Sequence, residues 1–401
     1  MKTRIAPLLI SVGTLAWQPG AVTAQGLATQ QHDSAGIWIV ENARPAEGSR
    51  LGWRIGPRPE VSIGEVTGDD PYLLSGASDA TRLSDGRIVV VNRFTRELRI
   101  FDEAGNHLGT WGGTGEGPGE FEPVTIFHIA PLPGDSVIVW GIWHDPLMSV
   151  FDPAGNFERR LRPQRSQPGV AGGLIAVAVA RDGSILAGPN RISTIADAVT
   201  VELWDAQGEL RAPLGTHPGV ERYRVGERGT ESVIFGRSLM LEPWGDVIVV
   251  SPTTRYEIKA FAQDGSLARI VRRDHAMRTP TTAHVEGYIE EAVSRIPAAA
   301  SQASARRRYQ SAPVAEYLPA FASVMTDALD HLWVEEFEPP GEELPGVLWT
   351  IFDPDGRALG FVETPEDLEI YEIGEHYILG RTRDELDVEY VQLWSLDRAG
   401  S

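Results

Sequence analysis

His144 and Asp145 form the one histidine–carboxylate pair that the sequence places in a loop on the side where we expect a ligand. A histidine beside a carboxylate can act as a general acid or base near neutral pH. The alternative is an ordinary solvated loop histidine. The chain's nine histidines are otherwise scattered, without a His-Glu-x-x-His or His-x-His pair, so no zinc site is predicted. A Gly-x-Ser-x-Gly elbow, the usual mark of a serine hydrolase, does not occur.

Arginine recurs in the loops on this side of the chain's repeating units, together with a few other polar residues. The candidate ligand-side residues are Asn92, Arg93, Arg96, His144, Asp145, Asn190, Arg191, Arg255, Tyr256, Glu335, Arg381 and Arg383. If the arginines converge, they form a basic mouth that would bind a carboxylate or a phosphate through bidentate hydrogen bonds. The alternative, which we favour, is that each arginine pairs with a neighbouring acid such as Glu97 or Asp384.

Acidic residues are concentrated near the C-terminal end of the chain. Between Asp327 and Asp397 there are 20 Asp and Glu against three Arg. Carboxylate oxygens suit Ca²⁺, but no Asp-x-Asp-x-Asp-Gly loop is present. Dispersed acidic side chains commonly form a solvated face. We therefore predict no cofactor and no metal ligand, with calcium as the alternative.

The composition excludes several classes of function. The chain has 401 residues, with 36 Lys and Arg, 56 Asp and Glu, and no Cys. Its formal net charge of −20 disfavours nucleic acid and anionic lipid, which proteins bind through clustered basic residues. Without Cys there are no disulfides, no thiolate nucleophiles, no iron–sulfur clusters and no lipid anchor on a cysteine.

Residues 1–24 have the pattern of a secretory signal peptide. Two basic residues come before the mostly apolar stretch Ile5 to Trp17, and Val22-Thr23-Ala24 supplies small residues for cleavage. No later apolar run approaches the ~20 residues that span a bilayer. We expect a soluble, monomeric protein that begins near Gln25, carries no lipid and is exported to the periplasm or the medium.

An aromatic residue followed by a glycine turn recurs along the chain. The six aromatics are Phe101, Phe151, Trp204, Phe261, Phe352 and, in a weaker form of the pattern, Trp394. Each comes after a turn and a β-branched run, so one unit of ~45–50 residues predicts four short strands. Six such units predict an all-β fold, a six-bladed β-propeller. Two packed sandwiches would not repeat one four-strand template six times.

Two departures from the repeat predict further features of this single domain, residues 25–401. The sixth unit lacks a fourth strand, and Val61-Ser62-Ile63-Gly64 resembles one, so we expect the N-terminal strand to close the ring. An insertion at about 274–319, between units four and five, has apolar residues at helical spacing before Pro297. We expect this helical insertion to be a lid or partner surface, or only a cap on exposed blade edges. It rises from the loop-rich face, which carries the links between blades and the loops between second and third strands.

Residues 112–121 read GGTGEGPGEF. Together with Gly86–Val91 and Leu98–Gly105, this segment resembles an NHL-type repeat, in which a glycine-rich loop ending in Gly-Glu-Phe joins one blade to the next. The mature chain as a whole resembles uncharacterised exported six-bladed propellers of the NHL-like and TolB-like superfamily. The resemblance implies the fold and export. It implies little about function, since propellers carry many unrelated activities.

The sequence favours a binding or scaffold module that recognises a peptide, a glycan or a protein at its loop-rich face. The reason is a complete six-blade frame with a lid-like insertion and no recognisable catalytic constellation. The alternative is a propeller enzyme with a tunnel-centred metal, either a calcium-dependent lactonase- or esterase-type hydrolase or an NHL-type lyase. A third alternative is a purely structural component of the cell envelope. The sequence alone is compatible with an enzyme and with a protein that has no catalytic activity.

Overall fold

The computed structural model of the chain describes residues 28–121, 128–141, 147–163, 174–189, 198–226, 229–296, 298–342 and 346–398. The predicted signal peptide, residues 1–24, lies outside the described residues. So do four of the candidate ligand-side residues, namely His144, Asp145, Asn190 and Arg191.

The first three repeat units each fold as an antiparallel sheet of four strands, and each sheet is one blade. Four short strands come before them, β1 (Thr29–Ser34), β2 (Ile37–Asn42), β3 (Arg54–Ile55) and β4 (Val61–Ile63). Blade 1 contains β5 (Ala77–Arg82), β6 (Ile88–Asn92), β7 (Glu97–Phe101) and β8 (His107–Gly112). Blade 2 contains β9 (His128–Pro131), β10 (Val137–Trp140), β11 (Met148–Phe151) and β12 (Phe157–Leu161). Blade 3 contains β13 (Leu174–Val179), β14 (Ile185–Pro189), β15 (Ala198–Trp204) and β16 (Leu210–Pro218).

The second half of the chain carries two insertions between its blades. A hairpin of β17 (Arg222–Val225) and β18 (Gly229–Ser232) comes before blade 4, which contains β19 (Leu239–Trp244), β20 (Val247–Pro252), β21 (Glu257–Ala262) and β22 (Leu267–Arg273). Two helices, α1 (Thr282–Ser294) and α2 (Ala299–Gln310), come before blade 5, which contains β23 (Phe321–Thr326), β24 (Leu332–Glu336), β25 (Val347–Phe352) and β26 (Ala358–Thr364). Blade 6 contains β27 (Glu369–Ile373), β28 (Tyr377–Arg383) and β29 (Glu389–Asp397).

The first strands of the blades lie next to one another around a central tunnel. β5 lies beside β9 and β27, and β19 lies beside β13 and β23. The second strand of a blade is covered on both faces, and β6 is accordingly buried at every residue. A strand of this kind requires a continuous apolar run instead of an alternating one. The six-bladed β-propeller predicted from the repeat is confirmed.

The recurring aromatic and glycine mark the turn between the third and fourth strands of a blade. In blade 1, Asp102 accepts hydrogen bonds from the backbone N–H groups of Ala104 and Asn106, and Gly105 has φ 86°. This left-handed backbone favours glycine, and an aspartate at the start of the turn fixes it. The aspartates that make the same bonds in other blades are Asp152, Asp205 and Asp353. The motif therefore recurs because each turn needs it locally.

The strands near the N-terminus pair with the outer edges of two blades. β4 and β3 pair antiparallel with β29 and form the outer part of blade 6. β2 lies parallel to β22 at the outer edge of blade 4, and β1 pairs with β2. At the end of β2, the Asn42 side chain donates to the carbonyls of Arg272 and Gly356 and accepts from the N–H of Ala358. This segment therefore joins blade 4 to blade 5.

The two helices pack against each other through a small apolar stripe. α1 begins with a capping box in which Thr281 and His284 satisfy each other's backbone N–H groups. Ile289 and Val293 of α1 are buried against Ala305 of α2. Both insertions lie in links between blades, so the helices and the hairpin stand on the loop-rich face.

Candidate ligand-binding site on the loop-rich face

A cavity of about 360 Å³ lies on the loop-rich face above the junction of blades 4 and 5. Three parts of the chain form its wall: the segment after β18, the helix α1, and the start of β23 with the loop after β24. The lining side chains that matter for its chemistry are Phe235, Tyr288, Glu291, Phe321, Phe337 and Glu338.

Phe235 stands in this wall in a backbone conformation that non-glycine residues rarely adopt. Its φ is 57°, in the left-handed region, although the side chain is buried. The residue before it is fixed by two backbone hydrogen bonds, from Ile234 N to Pro313 O at 3.0 Å and from Ala315 N to Ile234 O at 2.9 Å. The segment that follows α2 therefore holds Phe235 in place.

Phe235 is also the centre of a group of aromatic rings. Its ring meets Tyr288 of α1 edge to face with 5.5 Å between centroids, and meets Phe337 of blade 5 at 6.0 Å in the same manner. Edge-to-face contacts of this kind stabilise by about 0.5–1.5 kcal/mol each beyond the area they bury. The three rings tie the hairpin segment, the helix and the blade together as one side of the cavity.

Glu338 supplies the acidic group of the cavity. Its Oε1 is buried and has no hydrogen-bond partner within the part of the chain that the structure describes. A buried carboxylate oxygen without a donor costs free energy that a ligand with a donor can recover. Glu291, the other acid in the lining, has its partner in Arg295 one helical turn away. The unpartnered oxygen of Glu338 is thus the feature that a ligand would satisfy.

The pKa of the Glu338 carboxyl is raised to about 7, first by burial and then by repulsion from neighbouring carboxylates. The nearest of these, Glu335 and Glu336, lie on the same strand end. Burial also raises the pKa of Glu335, although the hydroxyl of Ser323 donates to it at 2.5 Å. A positive charge placed at Glu338 would oppose this rise in pKa, because it favours the ionised form of the carboxyl.

A smaller recess of about 180 Å³ opens beside the cavity and shares Phe235 with it. Arg237 and Glu221 line this recess. The Arg237 guanidinium is already engaged, because its Nε donates a hydrogen bond to Gly219 O at 2.9 Å. Two apolar side chains of its rim, Met277 and Tyr317, are 49% and 39% exposed. The cavity and the recess together form one concave region with apolar walls and an acidic floor.

The candidate residues of blade 1 lie in or beside the turn after β6. Asn92 is fully buried, and its side chain accepts from Ser75 N at 2.7 Å and donates to Thr95 Oγ1 at 2.8 Å. The Arg93 guanidinium stacks over the ring of Phe94. Arg96 has φ 60° and donates to Thr114 Oγ1. These contacts hold the turn in shape.

The structure brings together two of the candidate arginines in blade 6. Arg381 and Arg383 both donate to Oε1 of Glu389, at 2.9 and 3.0 Å. Arg381 is also paired with Glu369, and Arg383 with Asp387. Their charges are therefore balanced by carboxylates of their own blade.

Three candidates belong to blades 4 and 5. Tyr256 is buried, with its hydroxyl donating to Glu336 Oε1 at 2.9 Å, while Arg255 beside it is exposed. Glu335 borders the group of carboxylates around Glu338. Through this hydrogen bond to Glu336, Tyr256 helps to fix the strand end that carries Glu338.

Sequence reasoning missed most of the cavity. The sequence pattern places Phe337 and Glu338 next to Glu335 in a ligand-side loop and Tyr288 in the helical insertion, but no pattern shows that these side chains meet. Phe235 was not singled out, because nothing in the sequence indicates which ring the helix will pack against. The local feature that marks Glu338 is a run of three glutamates around one phenylalanine at a strand end.

Among the residues that the structure describes, no three His, Asp or Glu side chains are grouped so that they could hold a metal ion. Within the same residues, no helix is long and apolar enough to cross a membrane.

Comparison with known proteins supports the fold. Residues 69–131 match the model of DUF5128, described as a 6-bladed beta-propeller. The match covers only blade 1 and the start of blade 2. No curated protein matches the sequence.

Several solved structures have a similar architecture. A member of the DUF4221 family from Bacteroides vulgatus has 11% sequence identity and a TM-score of 0.51, with 86% of this chain and 99% of that chain covered. A gluconolactonase of Xanthomonas campestris has 13% identity and a TM-score of 0.40, with 93% and 98% covered. A virginiamycin B lyase of Staphylococcus aureus has 10% identity and a TM-score of 0.41, with 86% and 99% covered. Identities this low concern the fold alone.

Proposed function

We propose that this protein is a binding propeller that captures a basic peptide segment of a partner in the cavity around Glu338. The observation that carries the proposal is the buried Oε1 of Glu338, which has no partner among the described residues. A lysine or arginine side chain brings both the donor and the charge that this oxygen lacks.

The walls of the cavity favour a peptide over a bare cation. Phe235 and Phe337 offer apolar ring surface beside the carboxyl, and the exposed Met277 and Tyr317 extend that surface along the neighbouring recess. At protein interfaces, aromatic and arginine side chains in such pockets commonly contribute most of the binding energy. A basic residue flanked by apolar ones would therefore fit the region.

The charge of the whole molecule supports the same partner. A formal net charge of −20 attracts basic segments and repels acidic ones, which speeds encounter with a basic partner. The hairpin and the helices supply the walls, so the insertions serve as the partner surface rather than as an edge cap.

We further propose the cellular setting that residues 1–24 indicate: a mature, soluble, monomeric domain of residues 25–401 that is exported and carries no lipid. In this proposal the pairing of β4 with β29 closes the ring, as in propellers of the NHL-like and TolB-like superfamily. A closed ring leaves the loop-rich face as a rigid platform for the site.

A pair of labelled peptides tests the binding function. The first is an N-acetylated pentapeptide with arginine between leucine and phenylalanine, and the second carries citrulline, the uncharged isostere of arginine, at that position. We expect the arginine peptide to bind at least about tenfold more tightly, because the buried carboxylate pairs only with the charged side chain. Fluorescence anisotropy at low salt measures both.

Two variants complete the experiment. Glu338→Gln should remove the preference for arginine, whereas Glu286→Gln, which makes the same charge change on the exposed side of α1, should keep it. Equal binding of the arginine and citrulline peptides, or an unchanged preference in Glu338→Gln, would overturn the proposed function.

A further inference from the structure

A second cavity, of about 600 Å³, lies on the opposite face of the ring. It is formed where the first strands of blades 3, 4 and 5 end, at the turns that lead to their second strands. Val179 of β13, Glu242 of β19 and Thr326 of β23 line it from the tunnel side. It is separate from the cavity around Glu338, which lies at the other end of these strands.

Glu242 is the acidic side chain that projects from an innermost strand into this cavity. Its Oε1 accepts one hydrogen bond, from the backbone N–H of Thr326 at 3.0 Å. No basic side chain pairs with it among the described residues. Burial raises the pKa of its carboxyl to about 8, so the group holds a proton at neutral pH when the cavity is empty.

The other charged groups of the cavity stand at its rim and are engaged with one another. Arg181 of blade 3 reaches across to blade 5, where it pairs with Asp330 at 2.9 Å and donates to the carbonyl of Asp327 at 2.6 Å. Asp182 is paired with Arg211 at 3.1 Å. Asp246 adds a further negative charge to the rim. The rim is therefore acidic on balance, because the lining residue Arg181 is already paired with Asp330.

Apolar side chains line part of the cavity beside Glu242. They are Ala178, Val179, Pro243 and Pro354, together with an edge of the buried Trp244. Apolar surface next to an acidic side chain that has no basic partner suits a small organic molecule with one cationic head. A metal ion would need several oxygen ligands around one point, and no such group of acidic side chains occurs in the described residues.

We propose that this cavity binds a small organic monoamine whose ammonium group pairs with Glu242, while its apolar part lies between Pro243 and Val179. Binding is coupled to proton release, because the carboxyl must ionise to pair with the ammonium. The amine enters as R–NH₃⁺ and meets a protonated carboxyl. The complex holds R–NH₃⁺ against a carboxylate, and one proton leaves to the solvent.

Benzylamine is a suitable probe, and benzyl alcohol is its uncharged counterpart. We expect benzylamine to bind the full chain at pH 7 with release of about one proton per molecule. The release is measured by calorimetry in phosphate and in HEPES, whose heats of ionisation differ and which carry no primary amine. Benzyl alcohol should bind at least tenfold more weakly. Benzylamine that does not bind, or that binds without proton release, overturns the proposal.

Variants locate the site. Glu242→Gln keeps the acceptor for Thr326 N and should weaken benzylamine binding at least tenfold, with the proton release lost. Glu338→Gln and Glu103→Gln should retain both, since the first changes the other face and the second an exposed residue of blade 1. Comparing Glu242→Gln with Glu338→Gln also separates the two proposals, because the peptide site around Glu338 can be disproved while the amine site at Glu242 is confirmed.

A direct measurement guards against a variant that is merely misfolded. In the unmutated protein labelled with ¹³C at glutamate side chains, saturating benzylamine should lower the titration midpoint of the Glu242 carboxyl. An unchanged midpoint in the presence of benzylamine contradicts the proposal, whatever the variants show.

Discussion

Arg273 and Glu336 form a bidentate ion pair that is buried between blades 4 and 5, with Nη1–Oε1 at 2.6 Å and Nη2–Oε2 at 2.9 Å. The hydroxyls of Tyr256 and Thr350 donate to the same carboxylate at 2.9 and 2.7 Å. The guanidinium lies 3.7 Å from the centroid of the Tyr256 ring. Glu336 is two residues before Glu338, so this pair fixes the strand end from which the floor of the proposed peptide site projects.

Breaking this pair should destabilise the protein strongly. Glu336→Gln leaves the buried Arg273 charge without its counterion, which we expect to lower the free energy of unfolding by about 3–5 kcal/mol. Denaturation by urea at pH 7 measures the change. Glu363→Gln is the control, because its pair with Arg50 lies at the surface, with side chains 31% and 39% exposed, and should contribute less than about 1 kcal/mol. Equal losses in the two variants would contradict the role given to the buried pair.

The buried carboxylate of Asp327 should make the protein less stable in acid. Its buried carboxylate accepts hydrogen bonds from Trp333 Nε1 at 3.0 Å and from Arg398 Nη1 at 2.7 Å. Bonds from His331 and Trp333 and the charge of Arg398 outweigh burial and lower its pKa from 3.8 to about 2. A lowered pKa in the folded state stabilises above about pH 4, and this contribution disappears as the pH falls through about 2.

The lowered pKa of Asp327 corresponds to a stabilising contribution of about 2 kcal/mol. Asp327→Asn should therefore be less stable than the unmutated protein at pH 7, with the difference shrinking toward pH 2. Unfolding by urea across this range measures it. Asp387→Asn, at an exposed position, should follow the unmutated protein throughout. A difference that stays constant with pH would contradict the assignment.

The parts of the fold that depend on near neighbours could be predicted from the sequence. Asp102 and Gly105 make one turn within a few residues, and three further blades repeat the same turn. The aromatic that precedes the turn recurs six times in the sequence, so the repeat predicts the blade count. The Arg273–Glu336 pair joins residues 63 positions apart, and Asp327 meets Arg398 across 71 positions. Such contacts depend on how blades stack, which no local pattern shows. The cavity around Glu338 escaped prediction for the same reason, since Phe235 and Tyr288 come from different links.

Phe235 should matter for binding as well as for stability. Phe235→Leu keeps an apolar side chain but loses two edge-to-face contacts, so we expect it to cost about 1–3 kcal/mol of unfolding free energy. It removes the ring that meets Tyr288 and Phe337, and with it the aromatic wall beside Glu338. The affinity for the arginine pentapeptide should fall at least about threefold, by the value of one aromatic contact.

The matched control for Phe235 is Phe157→Leu, which removes an edge-to-face contact with Phe151 in blade 2. That contact is remote from the loop-rich face of blades 4 and 5. Anisotropy titrations on both variants should show the loss of affinity only for Phe235→Leu. A loss of the same size in both would attribute the effect to general loosening of the ring.

Glu242 should make the protein less stable as the pH rises. Its folded-state pKa of about 8 lies above the usual 4.5, so the folded state keeps a proton that the unfolded chain releases. The stabilising contribution is complete below about pH 4.5 and is lost progressively until the pH passes about 8. Glu242→Gln carries no such proton, so it should match the unmutated protein at pH 4.5 and exceed it at pH 9 by about 3–5 kcal/mol.

Urea denaturation of Glu242→Gln and the unmutated protein at both pH values measures this difference. Glu103→Gln, an exposed change on the same face, should show no gain at pH 9. A gain that is equally large at pH 4.5 would mean that the glutamine improves packing rather than removing a buried charge. If the predicted pH dependence is found, benzylamine should reduce the gain, because the bound ammonium stabilises the ionised Glu242 of the unmutated protein.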